Sequence, residues 1–190
     1  PATVKVWDVL LRLFHWSFAA CFAGAWLTAE SERWRDVHVT LGYAMLGLVA
    51  FRLLWGAVGP RHARFASFLR GPRAVLAYAM SLARGGPATE PAGHNPLGGW
   101  SVAAMLAALA TQAATGLFLV QEDYYFEGPL AKHVSRAVSD RLNAIHEANF
   151  WVIAALLALH LAAIAFHAIV KRQGLVGAML TGDKRLEAGR

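Results

Sequence analysis

Four stretches of this chain, residues 9–29, 37–58, 99–120 and 147–170, are long and apolar enough to cross a lipid bilayer. About 20 helical residues, rising 1.5 Å each, span a hydrocarbon core of about 30 Å. Lipid offers the backbone no hydrogen bonds, so such segments satisfy their N–H and C=O groups internally, as helices. Residues 13–29, 99–120 and 148–170 contain no Asp, Glu, Lys or Arg, and Arg52 alone interrupts 37–58. The expectation is an all-α, integral-membrane four-helix bundle forming a single membrane domain over residues 1–190. A chain with 57% hydrophobic and 16% charged residues is too apolar for an ordinary soluble domain.

The connections carry the charge, and they carry it unevenly. The long loop 59–96, punctuated by Pro60, Pro72, Gly85, Gly86, Pro87, Pro91 and Pro96, holds Arg61, Arg64, Arg70, Arg73 and Arg84 against Glu90. The tail holds Lys171, Arg172, Lys184, Arg185 and Arg190 against Asp183 and Glu187. Under the positive-inside rule this loop and both termini are expected to be cytoplasmic, in a multi-pass protein of the inner membrane if the cell is bacterial. Residues 30–36 (Glu30, Glu32 and Asp36 with Arg33 and Arg35) and 121–145 (Glu122, Asp123, Glu127 and Asp140 with Lys132, Arg136 and Arg141) have as much acid as base or more, and face the outside. The pI of about 10.0 therefore reflects topology and membrane-surface contact with lipid, not nucleic-acid binding. Residues 72–83 are expected to form a short helix along the membrane surface. The start, Pro1 to Asp8, lacks the features of a cleaved secretory signal, so the first apolar segment is expected to be retained. Cys21 is the single cysteine, which leaves no intramolecular disulfide and no Cys-x-x-Cys-His attachment for a c-type haem.

His146 and His160 stand fourteen residues apart in the fourth apolar segment. On a helix that spacing returns to within about 40° of one face and separates the rings by roughly 21 Å along the axis. With the topology above, His38 and His146 share a depth near the outer side, and His15 and His160 share one nearer the cytoplasm. Haem iron takes two axial nitrogens on opposite faces of a planar macrocycle, so one histidine on each of two facing helices at equal depth can hold one haem. Two such pairs imply two non-covalent haems, with iron ligated by His15, His38, His146 and His160. A Zn or Ni site would collect several ligands at one level, and a proton relay would place titratable groups at intermediate depth. The intervening residues are instead mostly Ala, Leu, Gly and aromatics. Gly24, Gly42 and Gly47 either admit a flat ligand to the backbone or pack helices closely. Arg52 follows His38 by fourteen residues and is placed to neutralise a propionate of the inner haem, a role assigned less readily to Arg12 at its helix end. His160 is preferred over His167, which lies close to the inner water boundary. His62 is expected to be solvated and His94 to bond locally or touch a propionate, with the local role preferred; His133 is open between a propionate, a quinone and plain exposure.

Arg12-Leu13-Phe14-His15-Trp16, His38 with Gly42, Arg52-Leu53-Leu54-Trp55-Gly56, Ala63-Arg64-Phe65, Gly93-His94-Asn95-Pro96-Leu97-Gly98-Gly99-Trp100, His146-Glu147 and His160 occur in this order along nearly the whole chain. This pattern resembles the bacterial cytochrome b561 family, in particular its Ni,Fe-hydrogenase b-type subunit and cytochrome c-associated branch. The resemblance implies a four-helix membrane cytochrome with two bis-histidine b haems on His15, His38, His146 and His160. It further implies electron exchange within a respiratory chain between the quinone pool and an outer-face partner, such as a periplasmic c-type cytochrome, a hydrogenase or another oxidoreductase subunit. A partner is expected to dock on the outer loops 30–36 and 121–145, and a quinone to bind at the membrane boundary beside one haem. Whether the chain is itself a quinol oxidoreductase is left open. The alternatives are a haem-bearing anchor subunit of a larger oxidoreductase and a histidine-using metal or ion transporter.

Overall fold

The computed structural model describes residues 2–84, 92–121 and 126–186. Gly85, Gly86, Pro87, Glu90, Pro91, Glu122, Asp123, Glu187 and Arg190, all used in the reading above, lie outside them. A short strand β1 (Ala2–Lys5) leads into α1 (Val9–Thr28); a 3-10 turn at Glu32–Trp34 leads into α2 (Arg35–Val58). The helices α3 (Phe65–Phe68) and α4 (Pro72–Ala83) follow, and then α5 (Pro96–Gly116). Strands β2 (Val120–Gln121) and β3 (Phe126–Glu127) precede α6 (Arg136–Ile169), α7 (Leu175–Thr181) and β4 (Asp183–Leu186).

Within Val9–Thr28, Glu32–Val58, Pro96–Gly116 and Arg136–Ile169 lie windows long and apolar enough to span a membrane, the last with a mean hydropathy of 2.3. Most of their side chains remain uncovered by protein, as in Leu27, Val58, Trp151 and Ile169. Apolar faces of this extent belong against lipid. The fold class is thus all-α and membrane-spanning. Local chemistry sets the helix starts: Asp8 Oδ1 accepts the Leu11 amide at 3.0 Å, and Asn95 Oδ1 accepts the Gly98 amide at 2.7 Å, with Pro96 at the first helical position. Helix α6 begins at Arg136, ahead of the apolar run. The helix foreseen at residues 72–83 is α4, opened by Pro72 and exposing Leu76 and Met80.

The chain divides into two compact units. The first comprises residues 1–15, 52–104 and 158–190. Its core joins Val6, Trp7, Leu11, Ala63 and Ala178, with Phe14 and Trp55 packed against them. Here β1 pairs antiparallel with β4, from Ala2 opposite Leu186 to Lys5 opposite Asp183, a ladder absent from the sequence reading. Gly182 ends α7 in the left-handed conformation at φ 92°, and its carbonyl accepts the amides of Val6 and Trp7. A Cβ there would stand 2.7 Å from the Trp7 carbonyl oxygen, so both φ and space select glycine. Asp8 also accepts the Trp55 indole N–H at 3.2 Å, tying the start of α1 to α2.

The second unit comprises residues 16–51 and 105–157. Asn149 on α6 donates to the Ala108 carbonyl and to Gln112 Oε1 on α5, at 2.9 and 2.7 Å. Ser139, 2% exposed, donates to the Phe118 carbonyl at 2.9 Å. These buried bonds fix α6 against α5 where apolar contacts alone would allow sliding.

Candidate haem sites

In the first unit His15 on α1 and His160 on α6 face each other, with ring centroids 6.4 Å apart and planes inclined by 49°. Half that separation is 3.2 Å, which equals a metal–imidazole bond of about 2 Å plus about 1.2 Å from ring nitrogen to ring centre. Rotation of either ring about the metal–nitrogen axis leaves the bond intact, so the inclination is no obstacle. The residues fit a bis-histidine haem. His167, by contrast, turns its Nδ1 to Gln173 Oε1 at 3.3 Å.

In the second unit His38 on α2 and His146 on α6 line a cavity of about 580 Å³, a size usual for cofactor sites. His38 Nδ1 lies 2.8 Å from the Ala25 carbonyl, an obligate acceptor, so Nδ1 carries the proton. His146 Nδ1 lies 3.0 Å from Thr115 Oγ1. The single hydroxyl hydrogen of Thr115 points back to its own helix, to the Thr111 carbonyl at 2.8 Å or that of Gln112 at 3.1 Å. Thr115 therefore accepts from His146, and both imidazoles keep Nε2 as a bare lone pair. This is the tautomer that a metal ligand needs, oriented by the outer hydrogen bond that such ligands usually make.

The three glycines separate into two roles. A Cβ on Gly24 would meet Leu41 Cδ1 at 2.8 Å, which is helix packing, whereas around Gly42 and Gly47 nothing lies within 4 Å. Gly42 lines the cavity. On its rim Arg35 Nη1 donates to Gln121 Oε1 at 3.0 Å.

Arg52 belongs to the first unit and is 2% exposed, although it is the one formal charge inside the second span. Its guanidinium carbon lies 4.6 Å over the Phe65 ring, and Nη1 is buried with no hydrogen-bond partner among the described residues. Phe65 sits there because Gly56 leaves room: a Cβ at Gly56 would be 2.1 Å from the ring. Arg12 donates through Nη1 to the Leu180 carbonyl, while its Nε is buried with no hydrogen-bond partner among the described residues. His94 Nδ1 is buried with no hydrogen-bond partner among the described residues, and its neighbour Asn95 caps α5. The His94 ring is packed between Trp7 and Phe68, at 4.8 and 4.7 Å. Burial first, and then the positive charges of Arg52 and Lys184 with His160 and His62, push its pKa down to about 4. His62 is half-buried against Gly93, and His133 is exposed.

Thr115 and the packing of His94 escaped the sequence reading. A threonine in an apolar span was the only signal for the first, and the Gly-His-Asn-Pro run the only one for the second. Among the described residues no group of three or more His, Cys, Asp or Glu is arranged to hold a metal ion. Comparison with curated proteins returns no match. Residues 6–182 match the sequence profile described as prokaryotic cytochrome b561. The chain belongs to that family and is a bacterial membrane protein that binds b-type haem and transfers electrons.

Proposed function

We propose that the protein carries two b haems, one between His15 and His160 and one between His38 and His146, and moves electrons between the quinone pool and a redox partner on the periplasmic side. The observation that carries this reading is the 6.4 Å spacing of the His15 and His160 rings. The matched tautomers of His38 and His146 support the second site. When bound, each haem supplies a one-electron iron couple.

The chain's own residues hold and tune that couple. Hydrogen bonds from Nδ1 of His38 and His146 raise the basicity of Nε2 and favour the ferric state at the outer site. Ala25, Met45 and Leu109, all buried, help to exclude water from the outer cavity. At the inner site, buried Arg52 offers Nη1–H and a positive charge to a propionate. The pairing of β1 with β4 supports both termini lying at one membrane face, and the arginines of loop 59–96 and the basic tail favour the cytoplasm for that face. Loops 30–36 and 121–145 then present the docking surface for a periplasmic c-type cytochrome or an oxidoreductase subunit, and a quinone enters from the bilayer beside one haem.

The test is spectroscopic. Purified protein should show a reduced b-type spectrum with two haems per chain, and quinol added to protein in vesicles should reduce them. One haem per chain would overturn the two-site reading. Two haems that no quinol reduces would make the protein an anchor for a larger oxidoreductase.

A further inference from the structure

The first unit contains an aromatic wall with an unpartnered nitrogen at each end. Arg52 lies over Phe65 at 4.6 Å, Phe65 meets Phe68 at 5.8 Å, and Phe68 meets His94 at 4.7 Å. Arg52 Nη1 and His94 Nδ1 are both buried, and neither has a hydrogen-bond partner among the described residues. The wall is held firmly. A Cβ on Gly99 would stand 2.6 Å from the Phe68 carbonyl oxygen, and the Trp100 indole donates to the Arg70 carbonyl at 2.8 Å. His94 is thus held by ring contacts with both Trp7 and Phe68, while the polar task beside it, capping α5, falls to Asn95.

Buried polar nitrogens of this kind call for a partner, and an acceptor answers Arg52 Nη1–H and the Nδ1–H form of His94 alike. The charges nearest His94 in effect, Arg52 and Lys184, are positive, so the missing acceptor is anionic. Asp8 is close enough to Arg52 to influence it, but its oxygens already accept from the Leu11 amide and the Trp55 indole. A neutral His94 offers one N–H, and the Arg52 guanidinium offers several. The chemistry that answers both is a carboxylate.

We propose that His94, through Nδ1–H, joins Arg52 in holding the propionate carboxylates of the haem between His15 and His160. The proposal rests on the inner haem of the preceding reading. It makes the Gly93-His94-Asn95-Pro96 segment a part of the haem site, with His94 serving the cofactor and Asn95 the helix.

Three variants and the unaltered protein test it. His94→Phe preserves the stacking and removes the donor; it should retain both haems, lower the midpoint potential of the inner haem alone, and move that haem's propionate bending band in resonance Raman spectra. His94→Gln restores a donor and should return both quantities towards the original. Unchanged potential and band in His94→Phe, or equal shifts in His94→Phe and His94→Gln, would overturn the proposal. So would an inner-haem propionate band in the unaltered protein at the position of a carboxylate without hydrogen bonds, a result that needs no variant to fold. Retention of both haems by His15→Ala would instead remove the inner site, and this proposal with it.

Discussion

The two units hold their histidines in opposite ways. In the second, His38 and His146 have each given Nδ1 to a protein oxygen, and the cavity between α1, α2, α5 and α6 is framed by bonds that the chain makes with itself. In the first, His15 and His160 face each other at 6.4 Å, while Arg12, Arg52 and His94 keep buried nitrogens with no partner among the described residues. An unsatisfied buried donor costs on the order of 1–3 kcal/mol, more for a charged one. Under the proposed two-haem reading, the site in the second unit is organised by the chain alone, and the site in the first is completed by its ligand. Loss of haem should matter unequally to the two.

The largest effect tests this directly. His160→Ala and His15→Ala should lose the same haem, and His38→Ala and His146→Ala the other; a haem lost in common by His38→Ala and His160→Ala would break the pairing. His160→Ala should also loosen the first unit, exposing the β1–β4 ladder to protease, whereas His146→Ala should leave that ladder as resistant as before. Equal protease sensitivity in both would erase the contrast.

Next in size is Arg52→Leu. It should retain both haems and lower the inner midpoint potential, because removing a buried positive charge favours the ferric iron. No change in a redox titration would take Arg52 out of the inner site. Thr115→Val should act on the other haem and with the other sign. Without an acceptor, His146 becomes a weaker donor to iron and the outer potential rises, by about 20–60 mV if the bond is worth about 0.5–1.5 kcal/mol. Thr115→Ser should leave it near the original value. The smallest effect concerns glycine. Gly42→Ala has room in the protein itself, so the fold should tolerate it, and a selective weakening of outer-haem retention would show that the cavity wall at Gly42 touches the macrocycle. Unaltered retention would place the macrocycle away from that wall.

Much of the architecture was legible because the spans are written as uninterrupted apolar runs, and lipid leaves such runs one way to fold. The histidines stood out for the same reason: a polar ring in an apolar segment has few neighbours to hide among. What escaped notice rests on contacts without a period. The pairing of Thr3 with Arg185 joins residues far apart along the chain, and strands of four residues are too short for an alternation to decide. Thr115 looks like any small residue of α5 until its hydroxyl hydrogen is traced to Thr111. His94 was read with its sequence neighbours, yet its ring contacts come from Trp7 and Phe68, both distant along the chain.

The β1–β4 ladder also sets an order of events during synthesis. Residues 2–5 are made long before their hydrogen-bonding partners, residues 183–186. At about 5–20 residues per second, the first strand waits roughly 10–40 s for the second. Throughout that interval Val6 and Trp7 lack the Gly182 carbonyl that accepts their amides. The unit that contains this ladder can close only after residue 186 has been made, so haem delivered earlier meets an open site.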